Sequence, residues 1–162
     1  MLKPLQQWMC DKCSGLIEKP ADGWFEWLSG HQPDGSNIGA HSFKIVHNAM
    51  SSTRGRAGCF HHDDEYDRSD NDLDHWVGPA GMIALLSMLD VGPIIDRHQS
   101  WAGPRVKNIR EFTECFRRLM LPHYEEARLL FRAADADGFF DGANEILVYL
   151  PDTLKTIIQR SG

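Results

Sequence analysis

Two pairs of potential metal ligands share the same short spacing in the first part of the chain. Cys10 and Cys13 are separated by two residues, and so are Cys59 and His62. This spacing lets one tight turn direct both side chains at the same ion, and a structural zinc needs four ligands. If both pairs bind one ion, residues that are distant in sequence must meet. No other feature constrains the fold as strongly. Gly15 follows the first pair and is expected to give its turn flexibility.

The fourth ligand has two main candidates. His62 completes the second pair, whereas His47 stands at the end of a predicted strand, a rigid position from which to present an imidazole. His41 and His61 are further candidates in weaker positions. We predict one structural Zn²⁺. The predicted ligands are Cys10, Cys13, Cys59 and either His62 or His47.

Two other interpretations of the cysteines stay open. In the first, Cys10 and Cys13 are free thiols and Cys59 is a small buried residue. In the second, Cys10 and Cys13 form a redox-active pair. Such a pair usually opens a helix in a βαβ unit, and no such pattern precedes Cys10. A structural disulfide is less expected than metal binding or redox chemistry, because the chain carries no recognisable secretory signal.

Two strand-like segments lie between the ligand pairs. GWFEWL, residues 23–28, is rich in strong β-formers, and SFKIVH, residues 42–47, places Phe43, Ile45 and His47 at alternate positions. The connection between them is dense in Gly, Pro, Asp and Asn, which is typical of a loop. Two ligand pairs that flank a β-hairpin resemble a zinc ribbon. The resemblance implies a zinc-stabilised module in residues 1–62, whose small core gains folding energy from the metal.

The net charge of −6 is concentrated in one segment. Residues 61–75 contain seven acidic residues and one arginine, so the rest of the chain is neutral. Because like charges repel and favour an extended chain, we expect residues 63–77 to form a solvated acidic loop. The segment also contains His61, His62 and His75, and carboxylates with histidines suit hard cations or catalytic zinc. A metal-dependent hydrolase or nuclease is therefore an alternative function.

Residues 78–162 show the periodicity of helices. Apolar residues recur at steps of three and four in the segments 78–92, 103–121, 122–138 and 151–161. The first segment is apolar over a wide face, which predicts a buried helix. EILVYL, residues 145–150, is interpreted as a short strand or extended run. The basic residues of the helical part are expected on solvated faces, with Arg117 and Arg118 holding the acidic loop as the alternative.

These features predict an α+β fold, with a zinc-stabilised β-hairpin module packed on a bundle of about four helices. The expected organisation is a zinc-ribbon-like module of residues 1–62, an acidic loop of residues 63–77 and a helical part of residues 78–162 with one short strand. Metal ligation stabilises the first part and apolar helix faces stabilise the last. Removal of zinc should then unfold the first 60 residues and leave much of the helical part folded.

The function favoured by the sequence is that of a non-catalytic, cytoplasmic zinc protein that binds another macromolecule, above all a protein. No apolar run approaches the roughly 18 residues of a membrane span, so no membrane contact is expected. No nucleophile elbow, phosphate-binding loop or dinucleotide fingerprint occurs. Binding of nucleic acid through the basic loop of residues 51–58 is a third alternative, although the acidic charge works against phosphate contact.

Overall fold

The structure, a computed structural model, describes residues 1–31, 33–36, 38–51, 59–60, 66–92 and 105–161. These residues form two small antiparallel sheets and six α-helices. The α+β class predicted from the sequence is therefore confirmed. Among the described helices, none combines the length and the apolar character that a membrane span requires.

The smaller sheet is a two-stranded hairpin near the start of the chain. Strand β1 (Trp8–Met9) pairs antiparallel with β2 (Leu16–Ile17), and Trp8 lies opposite Ile17. Both of these side chains are fully buried, so an apolar cross-strand pair anchors the hairpin. The connection between the strands contains the first pair of predicted ligands, which the hairpin therefore holds at one end.

The larger sheet has three antiparallel strands in the order β4–β3–β5. The strands β3 (Gly23–Ser29) and β4 (His41–His47) form the hairpin that the sequence predicts. Phe25 is fully buried because one face of the sheet packs on the core. The pairing places His47 opposite Gly23, at the end of the sheet that lies nearest the smaller hairpin's ligands.

The acidic segment is only partly a loop. Asp67–Asp72 form strand β5, which pairs antiparallel with β3, and Leu73–Trp76 form a 3-10 helix. The prediction of a loop is wrong for these residues. The backbone N–H and C=O groups along the edge of β3 need hydrogen-bond partners, and residues 67–72 supply them as a strand. The carboxylates of β5 stay exposed, so strand pairing leaves them hydrated. Residues 63–65 lie outside the described residues.

Six described helices complete the fold. They are α1 (Gly78–Leu89), α2 (Ile109–Met120), α3 (Tyr124–Ala127), α4 (Phe131–Ala136), α5 (Glu145–Val148) and α6 (Pro151–Ser161). Asn144 caps α5 by accepting a hydrogen bond from the backbone N–H of Ile146. The strand predicted for residues 145–150 is therefore wrong. The cap favours the start of a helix. Ile146 is 73% exposed, so its side chain is not buried in a sheet.

Helix α1 is exposed on one side, although its sequence predicts a buried helix. Leu85 is fully buried, but Met82, Ile83, Leu86 and Leu89 are 41–68% exposed. The helix contains no charged residue. A uniformly apolar helix looks buried in sequence, and only its packing shows which face is turned outward.

The buried apolar side chains form two clusters. The larger one, called the sheet core here, draws on all three predicted parts of the chain, including Trp8, Phe25, Ile45, Leu73, Trp76, Leu85, Phe112 and Leu119. The smaller one, the C-terminal core, consists of Tyr124, Ala127, Ala134, Leu154, Ile157 and Ile158. The division at residues 62 and 77 stays a prediction, but the three parts share one core. The bundle of about four helices is not confirmed, because α1 and α2 contribute to the sheet core and α3, α4 and α6 to the C-terminal core.

Candidate metal centre

Four potential metal ligands converge beside the smaller sheet. One donor atom from each of Cys10, Cys13, His47 and Cys59 lies within 4.8 Å of the others. Cys10 and Cys13 come from the connection between β1 and β2, and His47 is the last residue of β4. The structure thus unites the first predicted pair with the cysteine of the second pair and one of the two candidate histidines. The other candidate, His62, lies outside the described residues.

Two separations between donor atoms lie near those expected at a tetrahedral metal site. Nδ1 of His47 lies 3.4 Å from Sγ of Cys13 and 3.9 Å from Sγ of Cys59. Zinc–sulfur and zinc–nitrogen bonds of about 2.3 and 2.0 Å, held at a tetrahedral angle, place sulfur and nitrogen about 3.5 Å apart. These two separations are therefore compatible with a single tetrahedral metal ion between the four donors.

The imidazole of His47 is oriented for ligation through Nδ1. Its Nε2 lies 3.0 Å from the backbone carbonyl oxygen of Leu16. A carbonyl oxygen only accepts hydrogen bonds, so Nε2 carries the proton and Nδ1 presents its lone pair to the sulfur atoms. A hydrogen bond from the distal nitrogen is the usual support of a metal-bound histidine, because it fixes both tautomer and ring orientation.

The turn that carries Cys10 and Cys13 is closed by backbone hydrogen bonds. The N–H of Cys10 donates to the carbonyl of Gly15 at 2.8 Å, and the N–H of Ser14 donates to the carbonyl of Cys10 at 2.9 Å. Ser14, rather than Gly15, adopts the left-handed conformation, with a φ of 56°. Gly15 leaves room instead, since a Cβ there would lie 3.3 Å from Sγ of Cys13 and 3.3 Å from Cε1 of His47.

The thiols of the cluster differ in their readiness to ionise. Burial raises the pKa of Cys10 to about 11. Burial also acts on Cys13, but hydrogen bonds from the N–H of Gly15 and from neighbouring side chains outweigh it and lower the pKa of Cys13 to about 7. Cys13 is more exposed than Cys10 and Cys59. These cysteines would hold a metal as thiolates, so binding would displace a proton from the buried thiol of Cys10.

Asp11, which stands between the two cysteines of the turn, ties that turn to two other elements. Its N–H donates to the carbonyl of Ile45 at 2.9 Å, and its carboxylate accepts from the N–H of Ile45 at 2.7 Å. Both carboxylate oxygens also accept from Nη1 of Arg118, at 2.9 and 2.7 Å. The turn is therefore held by β4 on one side and by α2 on the other.

Arg118 is buried, which corrects the prediction that it lies on a solvated helix face or holds the acidic loop. It is 3% exposed, and besides Asp11 it pairs with Glu125 of α3 at 2.7 Å. Burial disfavours its charge, but the two carboxylates outweigh this and raise the pKa of Arg118 above the ordinary arginine value. The sequence held a signal for this network, since Arg118 follows the buried Cys115 by three residues on the apolar face of α2.

Phe60, next to the ligand Cys59, lies between two side chains of the larger sheet. Its ring stacks on Trp24 with 5.1 Å between ring centroids, and the guanidinium of Arg68 lies 4.3 Å from its ring centre. Trp24 belongs to β3 and Arg68 to β5. The larger sheet therefore positions Phe60, the residue next to Cys59, through one contact from β3 and one from the acidic strand β5.

The chemistry of a filled site follows from the number of its ligands. Four protein donors complete a tetrahedral zinc, which leaves no position for water or substrate. Elsewhere among the described residues, no group of three or more candidate ligands lies together, and the acidic residues 67–75 form no such group. The hydrolase alternative uses residues 61–75 and the nucleic-acid alternative uses residues 51–58. Of these, residues 61–65 and 52–58 lie outside the described part of the chain.

Comparison with known proteins identifies no relative. No protein-family model matches the chain, and neither a curated protein nor a solved structure matches it. The site is therefore interpreted from its own geometry.

Proposed function

We propose that the protein binds one structural Zn²⁺ through Cys10, Cys13, His47 and Cys59. The convergence of these four donors within 4.8 Å carries the proposal. Thiolate and imidazole ligands in tetrahedral arrangement suit zinc better than calcium or magnesium, which prefer oxygen ligands. Nearly complete burial of Cys10, His47 and Cys59 is typical of a structural rather than a catalytic centre.

The zinc-ribbon resemblance is retained in a modified form. The first cysteine pair lies in a tight turn, and the β3–β4 hairpin lies between the two halves of the ligand set, as in that class. The second half differs, because it takes His47 from the end of β4 and Cys59 from beyond it. Unpaired cysteines are typical of reducing compartments, which supports the cytoplasmic location proposed from the sequence.

The role of the zinc-stabilised fold, in this proposal, is to bind another protein. Helix α1 supports it, since four of its large apolar side chains are 41–68% exposed on a helix without any charged residue. Contiguous apolar surface of this kind commonly marks a protein interface. A closed metal site, with no position for substrate, favours binding over hydrolysis as the function.

Elemental analysis of the purified protein tests the zinc centre, with one zinc per chain expected. Cys59→Ser should lose the metal, whereas Cys115→Ser should keep it, because Cys115 is a buried thiol outside the cluster. His47→Gln and His62→Gln form a second matched pair. Loss of zinc in the first alone supports His47 as the fourth ligand, and loss in the second alone assigns His62. Wild-type protein without stoichiometric metal overturns the proposal.

Activity assays test the non-catalytic role. Zinc-loaded wild type should show no phosphodiesterase or peptide hydrolysis above that of the Cys59→Ser variant. Robust turnover that a single substitution at Asp63 or Asp64 abolishes, with zinc content and fold unchanged, would establish the hydrolase alternative instead. Crosslinking of the zinc-loaded protein should capture a saturable protein partner, and the metal-free variant should not capture it.

A further inference from the structure

Among the described residues, strand β5 is paired along one edge and has no strand partner along the other. It pairs with β3 from Asp67 to Asp72, and its opposite edge makes no backbone hydrogen bond to any described residue. Five of its six residues are exposed. The other outer strand of the sheet, β4, is covered, because Asp11 exchanges two hydrogen bonds with Ile45. The open edge is about 20 Å long, enough for a six-residue partner strand.

The charge of β5 restricts what can pair with this edge. Asp67, Asp70 and Asp72 project from the strand, and its one cation, Arg68, is engaged by Asp70 at 3.1 Å and by the ring of Phe60. Two copies of β5 placed side by side would bring carboxylates together in a chain that already has a net charge of −6. Like charges on facing strands destabilise pairing, and charged edges deter self-association. A second copy of this chain is therefore a poor occupant.

We propose that the open edge of β5 binds an extended, Lys- or Arg-bearing segment of a partner protein by strand addition. Backbone hydrogen bonds of the added strand supply affinity, and the aspartates select a basic sequence and speed its association. The proposal rests on the protein-binding role proposed above and adds a second surface to the exposed apolar face of α1. Arg68 of β5 and Trp24 of β3 both contact Phe60, next to Cys59, so the test uses the intact folded chain.

The binding test uses three fluorescein-labelled synthetic peptides of nine residues. The first alternates lysine and valine. The second has the same sequence with N-methyl groups on alternate amides, which removes the donors of one strand edge and keeps the charge. The third alternates glutamate and valine. Fluorescence anisotropy at low ionic strength should show binding of the first peptide, about tenfold weaker binding of the second, since two or more hydrogen bonds are lost, and none of the third.

Two double variants with equal changes of net charge locate the site. Asp67→Asn with Asp72→Asn should weaken binding of the Lys–Val peptide about fivefold, because exposed charge pairs contribute less than about 1 kcal/mol each. Asparagine at position 72 can still accept the hydrogen bond from the indole N–H of Trp24. The control, Asp135→Asn with Asp152→Asn, removes two exposed aspartates of α4 and α6 and should change the affinity less than about twofold. Amide NMR shifts should map to residues 67–72.

Three results would overturn the edge proposal: equal binding of the N-methylated peptide, equal weakening by both double variants, or NMR shifts confined to another surface. The last result would leave the protein-binding role standing and move its site. Zinc content measured on the same samples separates this proposal from the metal centre. If zinc-loaded protein does not bind the Lys–Val peptide, only the proposal of an edge-binding site fails. If purified wild type contains no zinc, the proposal of a metal centre fails.

Discussion

The sheet core and the C-terminal core differ in what holds them together. The sheet core joins residues as distant as Trp8 and Leu119, is rich in aromatic rings and borders the cysteine cluster. The C-terminal core is smaller, and all its fully buried members lie between residues 124 and 158. Long-range contacts carry a higher loop-closure entropy than local ones. In this protein, the candidate ligand cluster lies beside the core that closes the longest loops.

A buried ion network connects the two regions. Arg118 of α2 pairs with Asp11 in the ligand turn and with Glu125 of α3, and Arg128 also pairs with Glu125 at 2.8 Å. Indole Nε1 of Trp8 donates to the backbone carbonyl of Arg118 at 3.1 Å. A buried charge that loses its partner is strongly destabilising. The turn that carries Cys10 and Cys13 and the C-terminal helix α3 therefore share the buried charge of Arg118.

Removal of the proposed zinc has the largest expected effect on stability, and we expect it to affect the sheet core more than the C-terminal core. We expect a chelator to lower the free energy of unfolding by at least about 5 kcal/mol, because structural zinc binding contributes directly to folding. Hydrogen exchange should show lost protection in β3, β4 and α2 together, since these elements share the sheet core. Helix α6 should retain more protection. If α2 keeps its protection while the strands lose theirs, residues 1–62 are the independent module that the sequence predicts.

Substitution of Arg118 tests the connection between the regions. Arg118→Met should destabilise the protein by about 3 kcal/mol, because Asp11 and Glu125 lose the buried cation that they share, although Glu125 keeps Arg128 as a partner. Urea denaturation measures this. Arg110→Met is the matched control on an exposed position of the same helix, and its effect should stay within about 0.5 kcal/mol. If both variants lose a similar free energy of unfolding, the ion pairs of Arg118 contribute no more to stability than an exposed arginine does.

A cavity in the C-terminal core should destabilise that region without affecting the metal site. Leu154→Ala should cost about 2–4 kcal/mol, because Leu154 is fully buried. Leu150→Ala, at a position that is 45% exposed, is the control with a smaller expected loss. Zinc affinity, measured by competition with a chromogenic chelator, should be unchanged in both. A large loss of zinc affinity in Leu154→Ala would show that the two cores are one cooperative unit.

The pH dependence of stability has the smallest expected effect. Burial opposes the charge of Glu125, but hydrogen bonds and charge from Arg128 and Arg118 outweigh it and lower the pKa of Glu125 below its ordinary value of 4.5. A carboxylate with a depressed folded-state pKa stabilises the fold above the unfolded pKa, and this stability is lost as the pH falls through the folded value. As the pH falls below the ordinary glutamate value, wild type should therefore lose more stability than Glu125→Gln.

Comparison of the two proteins in the Cys59→Ser background removes the contribution of zinc release in acid. Parallel acid slopes for the wild-type residue and the glutamine variant in that background would contradict the role assigned to Glu125.

Several elements were predictable because their signals are local. The strands β3 and β4 follow from β-forming runs bounded by loop residues, and α2 follows from apolar residues at steps of three and four. The tight turn of Cys10 and Cys13 follows from a spacing of two residues. Strand and helix patterns repeat over a few positions, so a short window of sequence contains them. The α+β class and three of the four clustered ligands were predictable on this basis.

Only the tertiary structure decided which distant groups meet. The register that places His47 opposite Gly23 brings that histidine to the cysteines, and the free edge of β3 turns an acidic run into strand β5. Arg118 forms an ion pair with Asp11, which lies 107 positions away in the sequence. No local pattern encodes this pairing. The apolar sequence of helix α1 predicts a buried helix, but one of its faces is exposed to solvent. Burial depends on which faces the neighbouring elements cover. Periodicity resides in adjacent residues, whereas register, edge pairing and ion-pair partners arise when separate elements pack.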